Sequence, residues 1–134
     1  MEVKEYFDNY SKFVDSVTAD VSKNDDIFVE RFKLLSQVLD GNFSRLDNAI
    51  DGLCGEAGEV GDLWKKVKFH GLEYSPEIKD KFIKELGDVC WYVFQVSLAL
   101  GVPVDEVINR NIEKLKVRHT NGFSSAYLNQ KKGE

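Results

Sequence analysis

Apolar residues recur at alternating intervals of three and four along most of the chain, which is the spacing of amphipathic α-helices. The first long stripe consists of Leu46, Ile50, Leu53, Ala57, Val60, Trp64 and Val67. The second consists of Phe82, Leu86, Val89, Val93, Val96 and Leu100. Shorter stripes lie in residues 3–18, 28–39 and 104–115, and no strand pattern competes with them. The sequence therefore predicts an all-α bundle of about five helices.

Turn and capping residues set the expected helix boundaries. Ser44, followed three residues later by Asp47, resembles a capping box that opens the third helix, which we expect to end near His70. Ser75 followed by Pro76 is a typical helix start, and it opens the fourth helix. That helix is expected to end near Gly101, and the proline two residues later opens the fifth.

The composition is that of one globular domain spanning residues 1–134, with 43% hydrophobic residues and a net charge of −5. This charge gives no general attraction to nucleic acid or to anionic membranes. The chain begins without the apolar run of a signal peptide, and its most apolar stretch, residues 89–100, is too short to span a bilayer. Cys54 and Cys90 lack metal-binding spacing, so we expect buried thiols in a cytoplasmic protein.

Two pairs of acidic residues carry the candidate chemistry, namely Glu56 with Glu59 and Glu85 with Asp88. Residues three apart in a helix are neighbours, with Cβ atoms roughly 5–6 Å apart, so each pair can grip one cation. Each pair lies on the same flank of its stripe, and two packed helices would bring the acidic edges together. Carboxylates beside apolar residues need neutralising, and an all-oxygen donor set favours Mg2+ or Mn2+ over Zn2+. Either pair alone is common on a solvated helix face, but the matched pairs favour a metal site.

Four glycines, Gly52, Gly55, Gly58 and Gly61, interrupt the third helix, and each costs about 1 kcal/mol relative to alanine in a helix interior. Close helix approach and room for a metal and ligand are both open explanations. On the fifth helix, Asn111, Lys114 and Arg118 share one flank. Such a flank suits phosphate groups, although a solvated basic face is the alternative.

The same residues resemble the MazG-like family of all-α nucleoside triphosphate pyrophosphohydrolases. The similar segments are Gly-Glu-Ala-Gly-Glu-Val, Glu-Leu-Gly-Asp-Val-Cys-Trp-Tyr, and Asn-Ile-Glu-Lys-Leu-Lys-Val-Arg followed by Gly122-Phe123. The resemblance covers residues 44–124 as a catalytic core, and the N-terminal helices resemble those of bacteriophage-type members less specifically. Many members of the family carry a further glutamate at the position that Gly55 occupies in this chain. Its absence concerns only an outer-shell contribution, because the motif formed by Glu56 and Glu59 is complete.

The resemblance implies hydrolysis of an NTP or dNTP to the monophosphate and pyrophosphate. It implies that Mg2+, or Mn2+ in its place, binds at four catalytic carboxylates, which are Glu56, Glu59, Glu85 and Asp88. It further implies that the triphosphate is bound by three cationic residues, which are Lys81, Lys114 and Arg118, with Asn111 beside them. For a phage-encoded member, the expected location is the host cytoplasm.

Other functions remain open at this stage. A dUTPase-like or phosphoribosyl-ATP pyrophosphohydrolase branch of the superfamily would differ in base selectivity. A non-enzymatic helical dimerisation module would carry solvated acids and show no effect of metal on stability. A di-iron carboxylate bundle is disfavoured because no histidine stands three residues after Glu56, Glu59 or Glu85.

The fourth helix also predicts self-assembly. Trp91, Phe94 and Leu98 lie on the side away from its stripe, so the helix is apolar nearly all round. A two-helix hairpin cannot cover such a helix. We therefore expect a homodimer, or a homotetramer, in which the hairpin of a second copy completes a four-helix core, as the resemblance also implies.

Overall fold

The computed structural model describes residues 1–126 and Leu128, so Tyr127 and residues 129–134 of the predicted domain lie outside the described residues. The described chain contains five α-helices and no strand, which confirms the all-α prediction. The helices are α1 Val3–Ser16, α2 Asp25–Val38, α3 Phe43–Phe69, α4 Pro76–Leu100 and α5 Val104–Arg118.

The helices fall into two compact units, residues 1–40 and residues 41–134. In the first unit, a 3-10 turn at Asp20–Ser22 lies between α1 and α2 and contacts α2. Asn24 caps α2, because its side-chain oxygen accepts the N–H of Ile27 at 3.2 Å. The second unit holds α3, α4 and α5 and all the predicted site residues. A single domain over residues 1–134 stays a prediction.

An antiparallel hairpin of α3 and α4 forms the main part of the second unit. Where α3 begins and α4 ends, the backbone N–H of Asn42 donates to the carbonyl of Ala99 at 2.8 Å. Gly41 is needed there, since a Cβ at that position would overlap the same carbonyl oxygen. Toward the connecting loop, the rings of Trp64 and Phe82 lie 6.3 Å apart between their centroids. Contacts at both ends therefore hold the hairpin in one register.

The start of α3 corrects one prediction. Asn42, not Ser44, occupies the N-cap, and its side-chain oxygen accepts the backbone N–H of Arg45 at 3.0 Å. The Ser44 hydroxyl donates to that same oxygen at 3.0 Å. The capping-box prediction was wrong because the N-cap lies two residues earlier and the helix begins at Phe43, so that Ser44 already lies in its first turn.

The ends of α4 follow the predicted chemistry. The Ser75 hydroxyl accepts the N–H of Ile78 at 3.3 Å, and Pro76 occupies the first helical position. Gly101 ends the helix in the left-handed conformation at a φ of 67°, which glycine adopts without steric cost. The chain then turns into α5, whose axis lies at 97° to that of α4. In the described part of the chain, no single helix combines the length and the apolar character of a bilayer span.

Burial in the described chain is slight. The buried residues are Ala49, Ile78, Ser97 and Ala99. Stripe residues remain open to solvent, including Leu86 at 52% exposure and Trp64 at 49%. Cys54 and Cys90 are free and exposed, so the prediction of buried thiols was wrong. The physical reason is that a hairpin covers one face of each helix, and the cysteines lie outside that face.

Candidate active site

Three of the predicted carboxylates converge between α3 and α4. One carboxylate oxygen each from Glu56, Glu85 and Asp88 lies within 4.8 Å of the other two. We call these residues the three-carboxylate group. Glu56 and Glu85 are half-buried and Asp88 is exposed. An all-oxygen set at this spacing fits a hard divalent cation such as Mg2+ or Mn2+.

The electrostatics of the group also suit a cation. Partial removal from water raises the pKa of Glu56, and the negative charges of Asp88, Glu85 and Glu59 raise it further. Each of these causes disfavours the ionised form of Glu56 when no cation is present. Neutralisation by a bound cation would reverse that effect.

A cleft of about 280 Å3 adjoins the group and shares Glu85 with it. Glu59, which lies outside the three-carboxylate group among the described residues, also lines this cleft. The full lining is Glu59, Asp62, Leu63, Lys66, Lys81, Lys84 and Glu85, and we call it the lysine cleft. The fold thus brings Lys81 to the same opening as Glu59 and Glu85.

Two of the lysines in this cleft pair with aspartates one turn earlier on their own helices. Lys66 contacts Asp62 at 2.8 Å on α3, and Lys84 contacts Asp80 at 2.7 Å on α4. The hydrogen bond that Lys66 donates to Asp62, together with the negative charge of Asp62, raises the pKa of Lys66, and Asp80 does the same for Lys84. Both ammonium groups therefore remain protonated at neutral pH.

The predicted phosphate-binding residues of α5 are not among the described residues that line the lysine cleft. Asn111 and Lys114 are exposed along the helix, and Arg118 is half-buried at its end. Arg118 lines a second cleft of about 260 Å3 with residues 119–122, Ser124 and Ala126. That cleft shares no lining residue with the lysine cleft. The assignment of the α5 residues to the triphosphate stays a prediction.

Lys66 and Lys84 were not singled out from the sequence. A signal for Lys66 was present, because it follows Glu59 by seven residues and therefore lies on nearly the same helix flank. Lys84 immediately precedes Glu85, and neighbouring residues in a helix do not share a face. A spacing signal was nevertheless present, because Lys84 follows Lys81 by three residues and precedes Asp88 by four, and residues at these spacings are neighbours on a helix face.

Known proteins are similar to this chain in the part that holds the residues of the candidate site. A family model described as the MazG nucleotide pyrophosphohydrolase domain matches residues 45–123. Over 72 residues the chain is 40% identical to the Gene 37 protein of Mycobacterium phage L5. That alignment covers 53% of this chain and 63% of the phage protein, so the chain spans less than two thirds of the length of its relative. No solved structure matches the chain.

Proposed function

Because the chain belongs to the MazG nucleotide pyrophosphohydrolase family, we propose that it hydrolyses an NTP or dNTP to the monophosphate and pyrophosphate with Mg2+ as cofactor. The observation that carries this proposal is the junction of the three-carboxylate group with the lysine cleft at Glu85. A cation and a chain of phosphates have adjacent binding surfaces there. Neither surface alone would favour a triphosphate substrate.

In this mechanism Glu56, Glu85 and Asp88 would hold the cation. When bound, Mg2+ or Mn2+ supplies charge neutralisation and polarisation of phosphate oxygens. Lys81 donates to phosphate oxygens from the adjoining cleft. Glu59, at the opening of the same cleft, orients a water toward the reacting phosphorus and accepts its proton. Most of the catalysis is therefore positioning and charge stabilisation, as is general for phosphoryl transfer.

The cellular setting belongs to the same proposal. We assign the enzyme to the cytoplasm, or to the host cytoplasm if a phage encodes it, and to a homodimer or homotetramer. Its partner is the nucleotide, with no role for nucleic acid or membrane.

Two measurements on the full chain test the proposal. Thermal melts with and without Mg2+ or Mn2+ should show a higher midpoint with metal, because a ligand that binds only the native state stabilises it. A panel of all NTPs and dNTPs with product analysis should yield a monophosphate and pyrophosphate from at least one member. A chain with neither a metal shift nor hydrolysis would be the dimerisation module instead.

Matched variants assign the effect to the proposed residues. Glu85→Gln should remove both the metal shift and the hydrolysis while the helical content is unchanged. Glu113→Gln, which changes an exposed α5 glutamate paired with Lys116 at 3.1 Å, is the control and should keep both. A normal metal shift in Glu85→Gln would remove the metal assignment.

A further inference from the structure

The lysine cleft contains more cationic groups than the proposed mechanism uses. We propose that Lys66 and Lys84 bind phosphate oxygens of the substrate, and that in the free protein Asp62 and Asp80 hold these lysines at the edge of the cleft. This inference rests on the proposed function. Two observations carry it, namely the lining of the cleft and the two aspartate–lysine pairs, one on each helix of the hairpin.

The balance of charge calls for these lysines. Glu56, Glu59, Glu85 and Asp88 place four carboxylates between the helices, and a triphosphate adds several more negative charges. Lys81 alone supplies one positive charge against them. Lys66 and Lys84 are the other cationic residues that line the described cleft. Their ammonium groups are thus the further positive charges that this cleft offers to the phosphates.

The two pairs are weak enough to exchange partners. In the Asp62–Lys66 pair the side chains are 40% and 53% exposed, and in the Asp80–Lys84 pair they are 57% and 75% exposed. Ion pairs in contact with water contribute little to stability, so a phosphate of higher charge density can take over the lysine. Asp62 also contacts Lys65 at 3.4 Å through its other oxygen. That aspartate therefore keeps a cationic partner after Lys66 has moved.

The position of the lysines gives the bound phosphate chain a direction. Lys66 follows Glu59 by seven residues, which is about 10 Å along the helix toward the α3–α4 connection. Lys81 and Lys84 precede Glu85 on the antiparallel helix, so they extend toward that same end. The phosphates accordingly run from the carboxylates toward the connection, with the terminal pyrophosphate nearest Lys66.

Binding of inorganic pyrophosphate to the full chain in the presence of Mg2+, measured by calorimetry, tests the inference without turnover. Lys66→Met and Lys84→Met should each weaken binding by about three- to tenfold, which is within the range for losing one ordinary hydrogen bond. Lys65→Met is the matched control, since Lys65 shares Asp62 but does not line the cleft. It should change binding by less than about twofold. If Lys66→Met bound pyrophosphate as tightly as Lys65→Met does, the assignment of Lys66 would be overturned. If Lys84→Met bound pyrophosphate as tightly as this control does, the assignment of Lys84 would be overturned.

A further variant tests whether Asp62 restrains Lys66, and it should not weaken pyrophosphate binding as the lysine variants do. Asp62→Asn removes the competitor for Lys66, so pyrophosphate should bind as tightly as to the wild type or more tightly. If Asp62→Asn weakened binding as much as Lys66→Met, the pair would be an element of structure and the restraint would be refuted.

Steady-state kinetics separate this inference from the proposed function. A raised KM in the Lys66 and Lys84 variants, for whichever nucleotide the wild type hydrolyses, supports both proposals. A wild type that hydrolyses nucleotides, with a KM unchanged in both variants, overturns the lysine assignment alone. A wild type that hydrolyses no nucleotide overturns the proposed function, while pyrophosphate binding still decides the role of the lysines.

Discussion

Gly52 on α3 lies against the ring of Tyr92 on α4 with no space for a side chain between them. A Cβ at position 52 would overlap the ring and stand 2.7 Å from its Cδ1 atom. At Gly55, Gly58 and Gly61, by contrast, a Cβ would meet nothing within 4 Å among the described residues. Close helix approach therefore explains the first of the four glycines. Since Tyr92 lies one turn beyond Asp88, this contact helps to set the helix spacing at the carboxylates.

The first prediction compares alanine at two of these glycines. Gly52→Ala gains helix propensity, but it forces the Tyr92 ring to move, so we expect a loss of about 1–3 kcal/mol in the free energy of unfolding. Gly61→Ala meets open space and should gain up to about 1 kcal/mol. Urea denaturation of both variants measures the difference. Equal changes in the free energy of unfolding of the two variants would contradict the packing role of Gly52.

The second prediction separates the two glutamates of the first motif. Glu56 belongs to the three-carboxylate group, whereas Glu59 lines the lysine cleft. Glu56→Gln should lose both the rise in melting midpoint with Mg2+ and the hydrolysis. Glu59→Gln should lose hydrolysis by at least about a hundredfold, as expected for a general base, and keep most of the metal shift. Loss of the metal shift in both variants would show that Glu59 holds the cation as well as Glu56.

The third prediction concerns pH in the absence of metal. Desolvation, with the neighbouring charges of Asp88, Glu85 and Glu59, raises the pKa of Glu56, so the folded state binds this proton more tightly than the unfolded state. Its contribution to stability is complete below the ordinary value of 4.5 and is lost as the pH rises through the raised pKa. Glu56→Gln should therefore gain stability relative to the wild type as the pH rises from about 4.5 through the raised pKa of Glu56.

A second variant provides a control of opposite sign for that experiment. The hydrogen bond from Lys66 lowers the pKa of Asp62 below its ordinary value of 3.8. Its contribution to stability is complete above that value and is lost as the pH falls through the lowered pKa. Asp62→Asn should therefore be less stable than the wild type at neutral pH, and the difference should shrink on acidification. If the stability differences of both variants from the wild type varied with pH in the same way, the interpretations of Glu56 and of Asp62 would both be contradicted.

Local sequence predicted the parts of the fold that depend on local chemistry. The start of α4 follows from Ser75 and Pro76 alone, and the convergence of Glu56 with Glu85 and Asp88 follows from helical periodicity. The separation of Glu59 from that group could not be predicted, because it depends on how two helices approach each other. Exposure of the cysteines could not be predicted either, since it depends on how many faces of a helix the rest of the chain covers.

The fourth prediction tests the α5 residues. Lys114 is exposed and Arg118 lines a cleft distinct from the lysine cleft. If they grip the triphosphate, Lys114→Ala and Arg118→Ala should raise KM or lower kcat by about tenfold each, with Mg2+ affinity unchanged. Lys116→Ala, which removes a neighbouring lysine paired with Glu113, is the control and should alter neither. Loss of Mg2+ binding in Lys114→Ala, measured by calorimetry without nucleotide, would contradict the assignment.

The fifth prediction is self-assembly, and it begins from the outer face of α4. Trp91, Phe94 and Leu98 are 62%, 57% and 61% exposed along this face. Phe94 and Leu98 also line an apolar cleft of about 390 Å3 that continues to Val104 at the start of α5. Burying one such side chain stabilises a protein by about 1.5–3 kcal/mol, so leaving three in water forgoes a large part of the stability of a small unit.

A second copy of the hairpin, packed against this face, would cover Trp91, Phe94 and Leu98 and form a four-helix core. We therefore expect a homodimer or homotetramer at micromolar concentration by light scattering. Leu98→Lys places a charge in the middle of the buried surface and should shift the chain to monomer, with a lower melting midpoint. Val117→Lys, at an α5 position that is 81% exposed and off the stripe, is the control and should leave the mass unchanged. Because the three-carboxylate group lies between α3 and α4 of one chain, a stable and active wild-type monomer would refute the assembly and leave the proposed metal site untouched.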